Sequence, residues 1–340
     1  MDALFIEYRD PIFGIVVFFV AVFIIACANY WWGTFKNDKE KNSIEQFIKK
    51  FEVVSDANEY KKLLDEFSIS SESLGLLAHS FAKSGEYEKA IGIYLIALKK
   101  VKNRDEKQYV LCELGKTYFK AGFLRRSSEV FTEALKLYPR NEEALKYLTV
   151  IYEQLKEYEK SLEVLDVLEE LNVAVEIEKN YVTSLKVLED ENKSDKIKYN
   201  ELIELAKKDQ IVARMLFEFT KEAKLEFDIE ILHANTSLDL LWNSDEEILK
   251  KSNLPVIQSM LVAKGVEKEI PEKIPFELEV LANLRKNNYT KAGLNFEYTC
   301  SSCKGTFPIH FYRCPSCHAL KLPYISLILT KNDYEEYYSF

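Results

Sequence analysis

The chain has 340 residues and a formal net charge of −9 at pH 7, with 47% hydrophobic and 30% charged residues, which is the composition of a folded protein of two or three domains. The acidic balance argues against nucleic acid as a partner, because phosphate binding needs a basic face. Ten glycines and eight prolines are few turn-forming residues for this length, so the chain is predicted to be mostly α-helical.

The first predicted element is a transmembrane anchor, residues 1–35, in which the stretch 11–35 carries no charged residue. About 20 apolar residues suffice to span a bilayer as a helix. An aromatic triplet that ends at Trp32 lies where an interfacial belt is expected, and lysines follow from Lys36 onward. The positive-inside rule then predicts a single-pass membrane protein whose C-terminal body lies in the cytoplasm, with residues 36–70 as a helical linker.

The alternative interpretation of this segment concerns Cys27. Residues 24–27 resemble a lipoprotein processing site and residues 26–28 a signal-peptidase site, and either would make the segment a cleaved export signal. Such a signal begins with a basic region, whereas the first ten residues here carry one arginine against three acidic side chains. A retained anchor is therefore favoured, and a lipid attached to Cys27 would instead indicate an exported lipoprotein scaffold.

Residues 71–171 contain an internal repeat. Three windows, which begin at Leu74, Leu111 and Leu145, align on a pattern of spaced leucines, a small residue and aromatic residues. This pattern resembles the tetratricopeptide repeat, in which small residues let paired helices approach and large residues fill the gap. An α-solenoid is predicted here. Residues 172–291 keep helical periodicity but lose the repeat, so they are predicted to be degenerate repeats or a helical cap.

Repeat arrays of this kind present a concave surface that holds a segment of a partner protein. If the usual repeat geometry applies, the side chains that face this surface come from the first helix of each repeat. We call these residues the predicted groove: His79, Ala82, Cys112, Lys116, Phe119, Lys146, Val150 and Glu153. The alternative for each of them is a merely solvated or packed side chain.

The strongest motif in the chain lies in the segment 295–340. It consists of two Cys-x-x-Cys pairs separated by ten residues, formed by Cys300, Cys303, Cys314 and Cys317. Each pair places two thiolates on one side of a metal, and two pairs complete a tetrahedron that suits Zn²⁺. Because four thiolates leave no open coordination position, the motif predicts structural zinc in a small, rubredoxin-like β-ribbon. Its strands are predicted at Phe296–Thr299, Phe307–Arg313 and Tyr324–Leu329.

Other interpretations of the cysteine cluster remain open at this stage. Iron of the rubredoxin kind would use the same spacing, whereas two disulfides would suit an exported domain rather than a reducing compartment. His310 and His318 lie nearby but are interpreted as strand and surface residues, since four cysteines already complete the ligand set. A redox or nucleic-acid-binding ribbon is the second functional hypothesis, and the nearly balanced charge of the ribbon argues against nucleic acid.

Motifs of catalysis are missing from the sequence. It contains no His-Glu-x-x-His, Gly-x-Gly-x-x-Gly or Gly-x-Ser-x-Gly. We therefore expect a protein that is not an enzyme and has no small-molecule substrate.

The order of these parts resembles the lipopolysaccharide assembly protein B family of Gram-negative bacteria. The residues that carry the resemblance are the repeat positions and the terminal ribbon, with Tyr298 before the first cysteine pair and Arg313-Cys-Pro-Ser-Cys as the second. The resemblance implies an adaptor on the cytoplasmic side of the bacterial inner membrane, which binds the lipid A deacetylase and a membrane AAA+ protease and adjusts degradation of the deacetylase. It also implies that the ribbon packs against the repeats. The chain departs from the family in showing only three clear repeats, so the alternative is a generic membrane-anchored scaffold for another client.

Overall fold

The computed structural model describes four stretches of the chain: residue 18, residues 20–28, residues 70–267 and residues 274–331. The predicted anchor, 1–35, and the predicted linker, 36–70, therefore lie largely outside the described residues. Residue 18 and residues 20–28 are helical. Within the described part of the chain, no helix has both the length and the apolar character needed to cross a membrane.

The chain divides into two compact units, residues 1–139 and 140–340. After the N-terminal helical residues, the described helices of the first unit are α1 Ser71–Lys83, α2 Tyr87–Lys100, α3 Arg104–Lys120 and α4 Leu124–Leu137. Helix α1 packs against α2, and α3 packs against both α2 and α4. Two of these helices have a side-chain N-cap. The side chain of Ser70 accepts a hydrogen bond from the N–H of Ser73 in α1, and that of Asn103 accepts one from the N–H of Asp105 in α3.

The turn within each helix pair uses a residue with positive φ. Gly85 and Gly122 have φ values of 83° and 80°, a left-handed conformation that costs glycine nothing. Lys156 holds the equivalent position in the next repeat, with φ of 60°. The three positions therefore share one backbone conformation, although only two of them carry the residue that favours it.

Close helix approach within a pair depends on small residues at matched positions. The hydroxyl of Ser127 donates to the carbonyl of Gly115 over 2.8 Å, and one repeat later Ser161 donates to the carbonyl of Thr149 over 3.1 Å. Side chains of serine or alanine size are needed where the backbones come this near. The recurrence of the contact is what the aligned sequence windows predict.

Replacing Gly115 with alanine is expected to destabilise the first unit by about 1–3 kcal/mol. A Cβ atom at this position would lie 2.9 Å from Cζ of Phe131 and 3.0 Å from two more ring carbons, and the Phe131 side chain is fully buried. Gly75→Ala is the matched control, because a Cβ there meets nothing within 4 Å and alanine favours a helix. Urea unfolding should separate the two variants, and equal midpoints would contradict the predicted clash.

The second unit contains more helices and the sheet. Its helices are α5 Glu142–Gln154, α6 Tyr158–Glu170, α7 Glu176–Leu188, α8 Asp195–Ala206, α9 Gln210–Ala223, α10 Leu238–Trp242, α11 Glu246–Leu249, α12 Pro255–Lys264 and α13 Phe276–Lys286. Short 3₁₀ turns at Ile229–Ile231 and Ala234–Thr236 precede α10. In the described residues of the segment 172–291, helices α7 to α13 alternate with loops, and α10 and α11 have five and four residues.

The sheet has three antiparallel strands in the order β2-β1-β3: β1 Ala292–Thr299, β2 Thr306–Phe307 and β3 Tyr324–Lys331. Pairing of Phe296 with Leu327 and of Tyr298 with Ile325 aligns one face of β1 and β3. Phe296 and Tyr298 are buried in a hydrophobic cluster with residues of α8, α9 and α12. The apolar face of the ribbon is therefore part of the same core as the helices.

One predicted strand of the ribbon is wrong. Of the predicted strand Phe307–Arg313, only Phe307 lies in a strand, the two-residue β2, because Pro308 has no N–H to continue the ladder. Arg313 then forms only an isolated bridge with Leu320. The prediction of a mostly helical repeat solenoid with a small C-terminal sheet is confirmed.

Candidate metal centre and its anchoring contacts

The two cysteine pairs lie in turns with the same backbone hydrogen bonds. In the first turn, the N–H of Cys300 donates to the carbonyl of Gly305 over 2.9 Å, and the N–H of Lys304 donates to the carbonyl of Cys300 over 3.1 Å. In the second turn, the N–H of Cys314 donates to the carbonyl of Ala319 over 3.0 Å, and the N–H of His318 donates to the carbonyl of Cys314 over 2.9 Å. Each turn thus brings its two cysteine side chains to the same side.

The four cysteine sulfur atoms all lie within 4.8 Å of one another. The distance from Cys300 Sγ to Cys317 Sγ is 3.8 Å, and from Cys303 Sγ to Cys314 Sγ it is 3.7 Å. A tetrahedron with metal–sulfur bonds of about 2.3 Å has edges of about 3.8 Å, whereas a disulfide needs about 2.05 Å. All four cysteines are free of disulfides, so the geometry fits one tetrahedral ion, and zinc and iron satisfy it equally.

The pKa values of two of these cysteine thiols shift in opposite directions. Burial raises the pKa of the Cys300 thiol, but backbone N–H groups of Cys303 and Ser302 lower it further, to about 6. Burial, together with the thiols of Cys300 and Cys317, raises the pKa of Cys314 to about 12. Four thiolates at these distances would repel one another, and a divalent cation removes that conflict.

The predicted groove residues differ widely in exposure. Among the described residues, the exposed one is Lys146, the partly buried ones are His79, Ala82 and Lys116, and the buried ones are Cys112, Phe119, Val150 and Glu153. Glu113, which the prediction omitted, approaches two of them, with its carboxylate 3.4 Å from Nδ1 of His79 and 2.7 Å from Nζ of Lys116. Four of the eight predicted groove residues are therefore packed inside the protein, where a partner bound at the surface would not reach them.

Glu153 has a partner within the chain. Nε of Arg313 lies 2.9 Å from both of its carboxylate oxygens, and Nη2 of Arg313 lies 2.5 Å from Oε2. The side chains are only 11% and 8% exposed for Arg313 and Glu153. Nη1 of the same arginine donates to the carbonyl of His318 over 2.8 Å. Arg313 therefore joins the second cysteine turn to the last turn of α5, in a paired geometry that is strong when buried.

A second anchoring contact lies at β1. Arg214 and Asp239, with side chains 1% and 6% exposed, form a two-fold ion pair with nitrogen–oxygen distances of 2.7 and 2.5 Å. The hydroxyl of Tyr298 donates to Oδ2 of Asp239 over 2.9 Å. Tyr298 thus ties the strand that leads into Cys300 to a buried charge pair of the helices.

A third contact completes the set. The hydroxyl of Tyr312 donates to Oε2 of Glu218 over 2.7 Å, and Oε1 of Glu218 lies 3.5 Å from Nε of Arg214. We call Arg313–Glu153, Tyr298–Asp239 and Tyr312–Glu218 the anchoring contacts. Sequence reasoning missed their pairing, and the one available signal was that Tyr298, Tyr312 and Arg313 lie one or two residues before the first cysteine of a pair.

Three titratable side chains around the anchoring contacts, Asp239, Glu218 and His310, have shifted pKa values. Burial raises the pKa of Asp239, but the hydrogen bonds and charge of Arg214 outweigh it, so the net shift lowers that pKa. Burial raises the pKa of Glu218. Burial and the positive charge of Arg214 lower the pKa of His310 to about 3, so its ring is neutral at pH 7. It packs edge-on to Tyr298 and Tyr312, with ring centroids 5.3 and 4.9 Å away.

Known proteins resemble parts of this chain. The tetratricopeptide repeat family matches residues 73–108 and again residues 112–172. The CTR9 homolog protein of Arabidopsis thaliana is 38% identical over 97 residues, which are 28% of this chain and 9% of that protein. The chain therefore matches less than a tenth of the length of that relative.

Solved structures of MamA also align with the chain. The structure named MamA MSR-1 C2 has a TM-score of 0.32 at 20% identity, and covers 45% of this chain and 87% of its own. The one named MamA AMB-1 P212121 has a TM-score of 0.34 at 19% identity, and covers 54% and 98%. On the family matches, residues 73–108 and 112–172 of this protein are tetratricopeptide repeats, and the prediction of such repeats is confirmed.

Proposed function

We propose that this protein is an adaptor without enzymatic activity, which holds protein partners on its tetratricopeptide repeats. The observation that carries the proposal is the pair of repeat matches, because repeat arrays of this kind present binding surfaces for protein segments. The cysteine site supports it, since four converging thiolates leave no coordination position for a substrate. In this proposal the metal, zinc or iron, has a structural role.

The proposed place of action is the cytoplasmic face of the bacterial inner membrane. What supports it is the sequence of the stretch 11–35, which is uncharged, ends in aromatic residues and is followed by lysines. Most of this stretch lies outside the described residues, so the anchor rests on sequence alone. An adaptor held there would meet membrane-bound and soluble partners at once.

The more specific proposal is regulation of lipopolysaccharide synthesis. Its support is the resemblance in the order of parts, together with the contact between Arg313 of the ribbon and Glu153 of a repeat helix, since the resemblance implies a ribbon packed on the repeats. In this proposal the protein presents the lipid A deacetylase to a membrane AAA+ protease. The alternative, a scaffold for another client, is favoured by the loss of the repeat pattern in residues 172–291.

The test is the cellular half-life of the lipid A deacetylase with this protein present and then depleted. We expect depletion to lengthen the half-life, because the protease loses the adaptor that delivers its substrate. Restoring the full chain should shorten it again, whereas a chain that lacks residues 1–35 should not. An unchanged half-life on depletion would remove the deacetylase as client, and crosslinking in cells would then identify the partner.

A further inference from the structure

We propose that the metal controls a latch between the ribbon and the third repeat: when the metal leaves, Arg313 releases Glu153 and uncovers that face of α5. The proposal rests on the metal site of the proposed function, but it holds for any client. The latch consists of the bidentate pair of Arg313 with Glu153, supported by the other two anchoring contacts.

The anchoring residues of the ribbon lie next to the cysteines along the chain. Arg313 is adjacent to Cys314, and Tyr298 lies two residues before Cys300. Arg313 also donates to the carbonyl of His318, on the far side of the second cysteine turn. Its guanidinium group is therefore oriented from both ends of that turn, and it can meet Glu153 in this geometry only while the turn is folded.

The two cysteine turns are expected to depend on the metal for their conformation. Lys304 and His318, which follow the second cysteine of each pair, have φ values of 62° and 58°. A left-handed conformation costs a residue other than glycine roughly 1–2 kcal/mol. A ribbon this small has little core of its own, so metal binding supplies much of its folding free energy. Without the metal, we expect both turns to relax.

Release of Arg313 would expose two side chains, Glu153 of the third repeat and Tyr181 of α7. A buried carboxylate is stable only while its partner remains, because an unpaired buried charge is strongly unfavourable. Once Arg313 leaves, Glu153 must therefore become hydrated. The ring of Tyr181 is uncovered with it, since the Arg313 guanidinium lies 6.0 Å from its centroid and the ring of Tyr312 lies 5.9 Å away. The released face combines a carboxylate with an aromatic ring, which is the chemistry that binds a guanidinium group.

The experiment measures the reactivity of carboxylates in the full-length protein, with metal bound and after chelation under reducing conditions. A carbodiimide and glycine ethyl ester label accessible carboxylates, and mass spectrometry locates them. We expect Glu153 to be unreactive with metal and to gain several-fold in labelling after chelation. Glu142, which is 52% exposed in the same helix, should be labelled equally in both states. Glu133, buried in the first unit, should stay unreactive in both.

The outcomes are distinct. A protein that binds no metal would contradict the metal site itself, which metal analysis shows before any labelling. A metal-bound protein whose Glu153 reactivity does not change on chelation would overturn the latch. Labelling of Glu133 after chelation would also overturn it, because the metal would then hold the whole chain together. Arg313→Gln should label Glu153 while the metal remains bound, and an unreactive Glu153 in that variant would refute the role of Arg313.

Discussion

Replacing Cys314 with serine is expected to abolish metal binding and to unfold the ribbon. Cys314 is fully buried, and its sulfur lies 3.7 Å from that of Cys303 in the four-thiolate cluster. A serine hydroxyl is a poor ligand beside three thiolates, and structural zinc contributes about 10–16 kcal/mol to folding in small zinc domains. The expected loss therefore exceeds what the core of the ribbon can offset.

Metal content per chain and hydrogen exchange over residues 292–331 measure this effect. The wild-type chain should hold one metal ion and protect the amides of β1 and β3, whereas Cys314→Ser should do neither. Cys112→Ser is the matched control, because Cys112 is also buried but lies in α3 of the first unit and is not one of the four clustered cysteines. A Cys314→Ser protein that retains a full equivalent of metal and a protected ribbon would show that the ion is not held by these thiolates.

Replacing Arg214 with methionine should cost about 3–5 kcal/mol of unfolding free energy, because it leaves Asp239 charged and buried with Tyr298 as its remaining polar partner. Removing both charges in Arg214→Met with Asp239→Leu should cost less than the single change, although the Tyr298 hydroxyl then loses its acceptor at about 1–3 kcal/mol. With the single Asp239→Leu variant measured as well, the cost of the double variant minus the sum of the two single-variant costs is the coupling energy of the pair.

Urea unfolding of the full-length protein provides the measurement. Lys146→Met is the control for loss of one positive charge, because Lys146 pairs with Glu142 on the surface, where both side chains are more than half exposed. That variant should unfold at the same urea concentration as the wild type. If Arg214→Met also did so, the buried ion pair would make no net contribution to the unfolding free energy.

Local spacing in the sequence was sufficient for the main parts of the fold. Two Cys-x-x-Cys pairs predicted the convergence of four sulfur atoms, because each pair forms its own turn and the metal geometry relates the two. The recurring small residues predicted the helix pairs, and the contacts of Ser127 with Gly115 and of Ser161 with Thr149 repeat as that pattern requires. Patterns of this kind are legible because the interacting groups recur at short, regular intervals.

Long-range pairing of charges was decided only by the tertiary structure. Arg313 meets Glu153 across 160 residues, and Tyr298 meets Asp239 across 59. The sequence contains 46 basic and 55 acidic residues, and most such side chains lie in water, so nothing local marks the few that become buried. Burial of a charge is favourable only where a partner is fixed at hydrogen-bond distance. That condition depends on which elements pack together, and for this protein it is the packing of the ribbon on the helices that turned a predicted groove carboxylate, Glu153, into an internal anchor.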